Sequence, residues 1–233
     1  MIAKIFIWGI LIGPLAILLE LLSRWLASPA GLANFAATLK ADSKDYLLFI
    51  NIVFAAPIIE ETLKYAVVRL RVLKNPEFDE PLDTMLYMII AALGFAAAEN
   101  ILLVFQWPLQ DFSSVLSLVA MRFISATFVH ALGSGILGYW LARSIQEPDK
   151  KYLMLAKGFF LAIFFHSAYN ILIWIVDAQK DITDAYLPIF MILALILIMA
   201  IVVSHKFAIL KRLHAVCRIC RPKTTPGILS TDN

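Results

Sequence analysis

The chain has 233 residues, of which 61% are hydrophobic and 16% are charged, and its formal net charge is +3. Soluble domains are typically about 45–50% apolar and about 25% charged, so this composition excludes an ordinary soluble domain. We therefore expect the lipid bilayer, and no nucleic acid, among its partners. The length suits one domain, and the two cysteines, Cys217 and Cys220, are too few for a disulfide scaffold.

Six stretches are long enough to span a membrane, which takes roughly 20 mostly apolar residues. The first follows Lys4 and could be a secretory signal peptide, but its apolar run is long for one, so a retained span is expected. Together the stretches predict an all-α polytopic membrane protein, a bundle of about six transmembrane helices with a polar chamber inside it. The predicted spans are residues 2–22, 46–73, 82–107, 114–141, 152–177 and 185–209.

The distribution of lysine and arginine predicts the orientation of these spans. Fourteen of the 20 basic residues fall on the alternate stretches that include both ends of the sequence, and four fall on the other stretches. The positive-inside rule then predicts a multi-pass protein of the cell membrane with both termini in the cytoplasm. We expect a transmembrane domain over residues 1–210 and a basic cytoplasmic tail over residues 211–233, with unpaired cysteine thiols.

Polar side chains recur inside four of the predicted spans. An ionised group near the bilayer centre costs several kcal/mol, so such residues usually mark a functional site. At a rise of about 1.5 Å per residue, all of them lie within roughly 9 Å of the middle of their spans. They are Glu60, Glu61 and Lys64 in the second span, Glu99 and Asn100 in the third, Arg122 and His130 in the fourth, and His166 and Asn170 in the fifth.

The first and sixth spans have no central ionisable residue, and we interpret them as scaffold. Glu20 and Arg24 lie four residues apart near the end of the first span, where an exposed helical pair is expected. Glu99 and Arg122 share one predicted depth, so an ion pair between them is plausible. Glu99 and Asn100 are accordingly interpreted as supporting residues.

The segment EETLK places three ionisable groups within two helical turns. Lys64 is four residues after Glu60 and three after Glu61, so it can neutralise either. Adjacent helical residues point about 100° apart, so one glutamate is expected to face the chamber while Lys64 or a neighbouring helix holds the other. Pro57, one turn earlier, favours a kink. The alternative for this segment is a structural ion pair that joins helices.

The segment HSAYN places His166 and Asn170 on one helical face, where two donors can bind one oxygen atom. A positioned glutamate base contributes typically 10²–10⁴-fold to hydrolysis, and histidine and asparagine can stabilise the oxyanion. The alternative for the polar side chains, His130 included, is hydrogen bonding between helices. The motifs GxSxG and HExxH do not occur. No cofactor is expected, although zinc is possible, with Glu60, His130 and His166 as its ligands.

Four segments resemble the PrsW-type intramembrane proteases, distant relatives of the CAAX prenyl proteases and bacteriocin-processing enzymes. The resemblance implies a hydrolase, an intramembrane endopeptidase of glutamic type, with residues 1–210 as the protease domain. It implies that Glu60 and Glu61 are the catalytic pair and that His130 helps to activate water. His166 and Asn170 would form the oxyanion site. From the residues themselves we interpret Lys64, Glu99, Asn100 and Arg122 as supporting residues. The segments are EETLK at 60–64, GFAAAEN at 94–100, the stretch around His130, and HSAYN at 166–170.

The resemblance implies a membrane protein or a lipid-anchored peptide as substrate. The CAAX relatives have arginine and phenylalanine where this chain has Tyr65 and Ala126, so prenyl-peptide specificity is not expected. Two alternatives to a protease remain at this point. A proton-coupled transporter or channel could use a relay of glutamate and histidine, although the inverted repeats common in transporters are not evident. A non-catalytic membrane scaffold could bind a partner helix.

Overall fold

The computed structural model describes residues 1–27, 46–75, 78–106, 112–179 and 182–217. Within these ranges the chain forms helices and turns and no strand, which confirms the all-α prediction. The helices are α1 (Ile2–Ala27), α2 (Tyr46–Ile50), α3 (Ala56–Arg71), α4 (Pro81–Gln106), α5 (Phe112–Gln146), α6 (Lys151–Asp177) and α7 (Ile182–Cys217).

Five of these helices, α1, α4, α5, α6 and α7, are long and apolar enough to cross a membrane. The prediction of a polytopic membrane protein is thereby confirmed. The second predicted span, residues 46–73, does not form one regular α-helix. Helix α2 continues through a π-helical segment, Asn51–Ala55, into α3. Helix α3 alone has 16 residues and carries three buried ionisable side chains, so its crossing of the membrane remains a prediction.

The predicted domain boundary near the end of the chain stays a prediction. Helix α7 continues to Cys217, past the boundary placed between residues 210 and 211. The remainder of the predicted tail, which includes Cys220, lies outside the described residues, as does most of the predicted connection 23–45.

The backbones of α1 and α4 touch where Gly9 faces Gly94. A Cβ atom on Gly9 would overlap the carbonyl oxygen of Ala91, and one on Gly94 would overlap the carbonyl oxygen of Phe6. Small residues permit this close approach of helices in a membrane. Helix α1 therefore packs directly against α4 as part of the bundle.

Polar contacts fix both ends of α1. Near its start, the guanidinium of Arg71 lies over the Trp8 ring, 4.0 Å from the ring centroid. Near its end, Nδ2 of Asn51 donates a hydrogen bond to Oγ of Ser23 at 2.6 Å and another to the backbone oxygen of Glu20 at 3.3 Å. These contacts fix the rotation of α1 about its axis.

The outside and the inside of the bundle have opposite character. Large apolar side chains such as Leu18, Phe105, Phe160 and Phe190 are exposed on the outer faces, as contact with lipid requires. The centre holds the buried polar side chains Glu60, Glu61, Lys64, His130 and His166.

Candidate active site

A cavity of about 280 Å³ lies among α1, the π-helical segment, α3, α4, α5 and α6. Small and apolar side chains form part of its wall. The polar side chains that line it are Glu20, Glu60, Glu99, His130, His166, Tyr169 and Asn170. This cavity is the polar chamber that the sequence predicts inside the bundle.

Glu60 is one of the residues that line this cavity, and its Oε2 atom is buried. The residue is 5% exposed, and its Oε2 atom makes no hydrogen bond to any described residue. Oε2 lies 3.6 Å from Nδ1 of His130, 3.8 Å from Nε2 of His166 and 3.6 Å from Nζ of Lys64. Burying a charged group without hydrogen bonds costs free energy, so the geometry favours a further group here, such as water, substrate or a cation.

Glu61, the adjacent carboxylate, is held at both of its oxygens. Lys64 donates to Oε1 at 2.7 Å, and the hydroxyl of Ser134 donates to Oε2 at 2.9 Å. Nδ1 of His166 lies 3.5 Å from Oε1. The two neighbouring glutamates therefore differ in role, since Glu60 lines the cavity and Glu61 anchors Lys64.

His130 lies between a cation and a carboxylate. Nζ of Lys64 is 2.8 Å from Nδ1, and Oε2 of Glu99 is 2.7 Å from Nε2. The Phe95 ring contacts the imidazole edge-on, with ring centroids 5.4 Å apart. The partner that the structure shows for Glu99 is therefore His130, whereas the predicted pair with Arg122 involves a side chain outside the described residues.

Asn170 has a partner that the sequence analysis did not anticipate. Its Nδ2 atom donates to the backbone oxygen of Ile52 at 2.8 Å. In the π-helical segment the N–H of Ala56 donates to the backbone oxygen of Asn51, five residues earlier. The same spacing would make Pro57 the donor to the backbone oxygen of Ile52. Proline has no N–H, so the Ile52 carbonyl lacks this helical partner and Asn170 supplies one.

His166 lies beside His130, with perpendicular rings whose centroids are 4.8 Å apart. Both His166 and Asn170 line the cavity, but one amide hydrogen of Asn170 is used by Ile52. That the two side chains jointly bind one oxygen atom stays a prediction. Asn100 lies deeper in the wall, where it donates to Oγ1 of Thr127 at 3.1 Å and joins α4 to α5.

Glu20 is the cavity residue that the sequence analysis missed. We expected an exposed pair with Arg24 on a scaffold helix, yet Glu20 is partly buried and lines the cavity. It shares one helical face with Gly13, Ala16 and Ile17, which line the cavity as well. A face of small residues that ends in a carboxylate was the signal available in the sequence.

Three of the cavity residues have the spacing of a metal site. One ligand atom each from Glu60, His130 and His166 can be chosen so that all lie within 4.8 Å of one another. Zinc bonds of about 2.0–2.1 Å place neighbouring ligands of a tetrahedral ion roughly 3.4 Å apart, close to the 3.6 and 3.8 Å measured from Glu60. The residues therefore fit a divalent metal ion, although Lys64 competes for Nδ1 of His130.

Apolar helices around buried carboxylates and imidazoles define a membrane-embedded protein with a hydrolase-like site inside its bundle. The chain belongs to the PrsW family, described as intramembrane metalloproteases, which matches residues 1–202. The resemblance predicted from the four segments is thereby confirmed.

Curated relatives named Protease PrsW give the same result. That of Geobacillus kaustophilus is 28% identical over 176 residues, which cover 76% of this chain and 68% of the relative. That of Oceanobacillus iheyensis is 28% identical over 126 residues, 54% of this chain and 55% of the relative. That of Shouchella clausii is 24% identical over 151 residues, 65% and 66% respectively. The chain thus spans about half to two thirds of these relatives, and no solved structure matches it.

Proposed function

We propose that the protein hydrolyses a peptide bond of a membrane protein or a lipid-anchored peptide in the central cavity, with Glu60 as the general base. The observation that carries this proposal is the buried Oε2 atom of Glu60, which has no hydrogen bond to a described residue and lies beside two imidazoles. Membership of the PrsW family supports intramembrane peptidase activity.

The spacing around Glu60 suits one water molecule. Oε2 of Glu60 and Nε2 of His166 are 3.8 Å apart, so both can contact a single water at about 2.8 Å. In the proposed reaction Glu60 takes a proton from this water while the water oxygen adds to the carbon of the peptide carbonyl. His166 and the unused amide hydrogen of Asn170 donate to the oxyanion. The carbon–nitrogen bond then breaks, and Glu60 returns the proton to the leaving amine.

Three supporting side chains keep Glu61 and His130 in place. Lys64 and Ser134 immobilise Glu61, and Lys64 together with Glu99 fixes the orientation of His130. Such preorganisation matters because a misplacement of about 1 Å can cost about 10²-fold in rate. We propose that Lys64, Ser134 and Glu99 act as positioning residues.

The family description implies a metal, and the available ligands fit one. Glu60, His130 and His166 would hold it, and bound zinc would supply Lewis-acid polarisation of water or of the carbonyl. In that case the 3.5 Å approach of Glu61 to Nδ1 of His166 matches the carboxylate–histidine pairing common at metal sites.

We also propose that both termini are cytoplasmic, with the protease domain over residues 1–210 and a basic tail over 211–233. Lys157 and Lys206 lie at the same end of the bundle, 5.5 and 5.9 Å from the Trp140 ring centroid. Lysines beside an aromatic ring are typical of a membrane interface, and basic residues favour the cytoplasmic one. Labelling of Cys217 and Cys220 by a membrane-impermeant thiol reagent from the cytoplasmic side alone would agree with this orientation.

The function is tested by comparing the membrane proteomes of cells that express wild type, Glu60→Gln or Asp149→Asn. Asp149 lies in an exposed turn and serves as a matched carboxylate control. We expect an uncleaved substrate to accumulate with Glu60→Gln and not with the control. A reconstituted Glu60→Gln protein that cleaves at the parental rate would contradict the proposal.

The two alternatives give different results in the same system. Proton flux into liposomes without any proteolysis would favour a transporter or channel. A stable, uncleaved partner that co-purifies with wild type and with Glu60→Gln alike would favour a scaffold.

A further inference from the structure

The cavity has more carboxyl groups than the proposed chemistry uses. Its described ionisable lining consists of three glutamates, Glu20, Glu60 and Glu99, and two imidazoles. Lys64 is not among the lining residues, since it is 0% exposed and bonded to Glu61 and His130. In a medium of low dielectric, such an excess of acid favours a positively charged ligand.

Acceptor capacity remains on these carboxylates. Oε2 of Glu60 makes no hydrogen bond to a described residue. Oε2 of Glu99 accepts from His130, but the Glu99 side chain is 40% exposed. Glu20 lines the cavity and is partly buried, with Arg24 one turn further along the helix.

The size of the cavity limits what can enter it. Its volume of about 280 Å³ lies just below the roughly 300–1,000 Å³ of small-molecule pockets, so it admits a few side chains and not a whole helix. A lysine or arginine inside a membrane needs a counter-charge or a route to water. A cavity lined by acids meets that need.

We propose that Glu20, together with Glu99, forms a subsite that binds a basic side chain, lysine or arginine, of the segment to be cleaved. This inference rests on the proposed function, because it names the substrate class of that cavity. Glu20 is a specificity residue on α1, whereas the groups proposed to hydrolyse the bond belong to α3, α5 and α6.

The test measures binding separately from cleavage. Fluorescent hydrophobic peptides carry one lysine, moved through successive central positions, or norleucine at the same position. Their affinities are measured in nanodiscs of zwitterionic lipid, in a Glu60→Gln background, with and without Glu20→Gln. Glu20→Asp and Asp149→Asn are the matched controls, and thermal unfolding shows that each variant is folded.

At one position or more, we expect the lysine peptide to bind about tenfold more tightly than its norleucine partner, as suits a hydrogen bond to a charged group. Glu20→Gln should remove that preference, Glu20→Asp should retain part of it, and Asp149→Asn should leave it unchanged. Equal affinities at every position, or a lysine preference that survives Glu20→Gln, would overturn the subsite. A preference that depends on Glu20 while wild type cleaves no peptide would keep the subsite and refute the peptidase.

Discussion

The ammonium nitrogen of Lys64 lies 2.8 Å from Nδ1 of His130. An ammonium group can only donate, so Nδ1 accepts and the ring proton is on Nε2, where it is donated to Glu99 at 2.7 Å. The same ammonium donates to Glu61 at 2.7 Å. One buried cation therefore fixes the tautomer of an imidazole and the position of a carboxylate.

Replacement of Lys64 by methionine should strongly destabilise the protein. It leaves Glu61 as a buried charge without its cation, and breaking a buried pair in this way costs about 3–5 kcal/mol. The double variant Lys64→Met, Glu61→Gln removes both charges and should recover most of the loss. Thermal unfolding in detergent measures both, and a double variant no more stable than the single one would argue against the pair.

Zinc binding should increase when Lys64 no longer competes for His130. We expect the double variant Lys64→Met, Glu61→Gln to retain more zinc after dialysis than the single variant Glu61→Gln, because Nδ1 of His130 is then free. Addition of Glu60→Gln should remove the gain. Elemental analysis of the folded fraction gives the zinc content, and equal contents with and without Lys64 would contradict the competition.

Ser134 should matter more than another buried serine on the same helix. Ser134→Ala removes a hydrogen bond to the charged Glu61, a contact that contributes roughly 1.5–3 kcal/mol. Ser144→Ala removes only a bond to the backbone oxygen of Leu141 in its own helix and should change little. Unfolding temperature and cleavage rate should both fall for Ser134→Ala. Equal effects of the two substitutions would show that Ser134 does not position Glu61.

Asn170→Ala should destabilise the π-helical segment, because the Ile52 carbonyl loses its donor at a cost of about 1–3 kcal/mol. Pro57→Ala restores a backbone N–H next to that carbonyl and should recover stability in the double variant. Cleavage should stay low, since the alanine cannot donate to the oxyanion. Recovery of stability and activity together would limit Asn170 to a structural role, and recovery of neither would refute its link to Pro57.

Gly94→Ala should separate α1 from α4, since the added methyl group overlaps the Phe6 carbonyl. Overpacking of this kind costs about 1–3 kcal/mol or more. Gly133→Ala is the matched control, because the nearest atom to its added methyl group is 3.8 Å away on Met199. Unfolding temperatures compare the two, and similar losses would mean that the crossing at Gly94 is not tight.

The membrane fold and most polar residues of the chamber were predictable because charge inside apolar segments is costly and therefore conspicuous. The depth of a residue in the membrane could be calculated from its position in the span. The common depth of Glu60, His130 and His166 therefore followed from the sequence. The rotation of each helix about its axis could not be calculated. That is why the His130 contact of Glu99 and the inward face of Glu20 appear only in the structure.

The hydrogen bond from Asn170 to Ile52 could not be predicted for a different reason. Pro57 predicts a kink, but a shift of backbone register into a π-helix depends on what can satisfy the released carbonyl. That acceptor is on Ile52 and its donor comes from α6, more than a hundred positions later in the chain. The residues around Pro57 do not indicate such a contact.

The attachment of α1 has a consequence for divergence among related proteins. Its orientation depends on Trp8, Gly9 and Ser23, whereas its Glu20 side chain contributes to the cavity wall. Selectivity can therefore be altered by exchanging one outlying side chain on a helix that supplies none of the proposed hydrolytic groups. Such an arrangement would let new substrates be acquired while the bond-breaking apparatus is inherited intact.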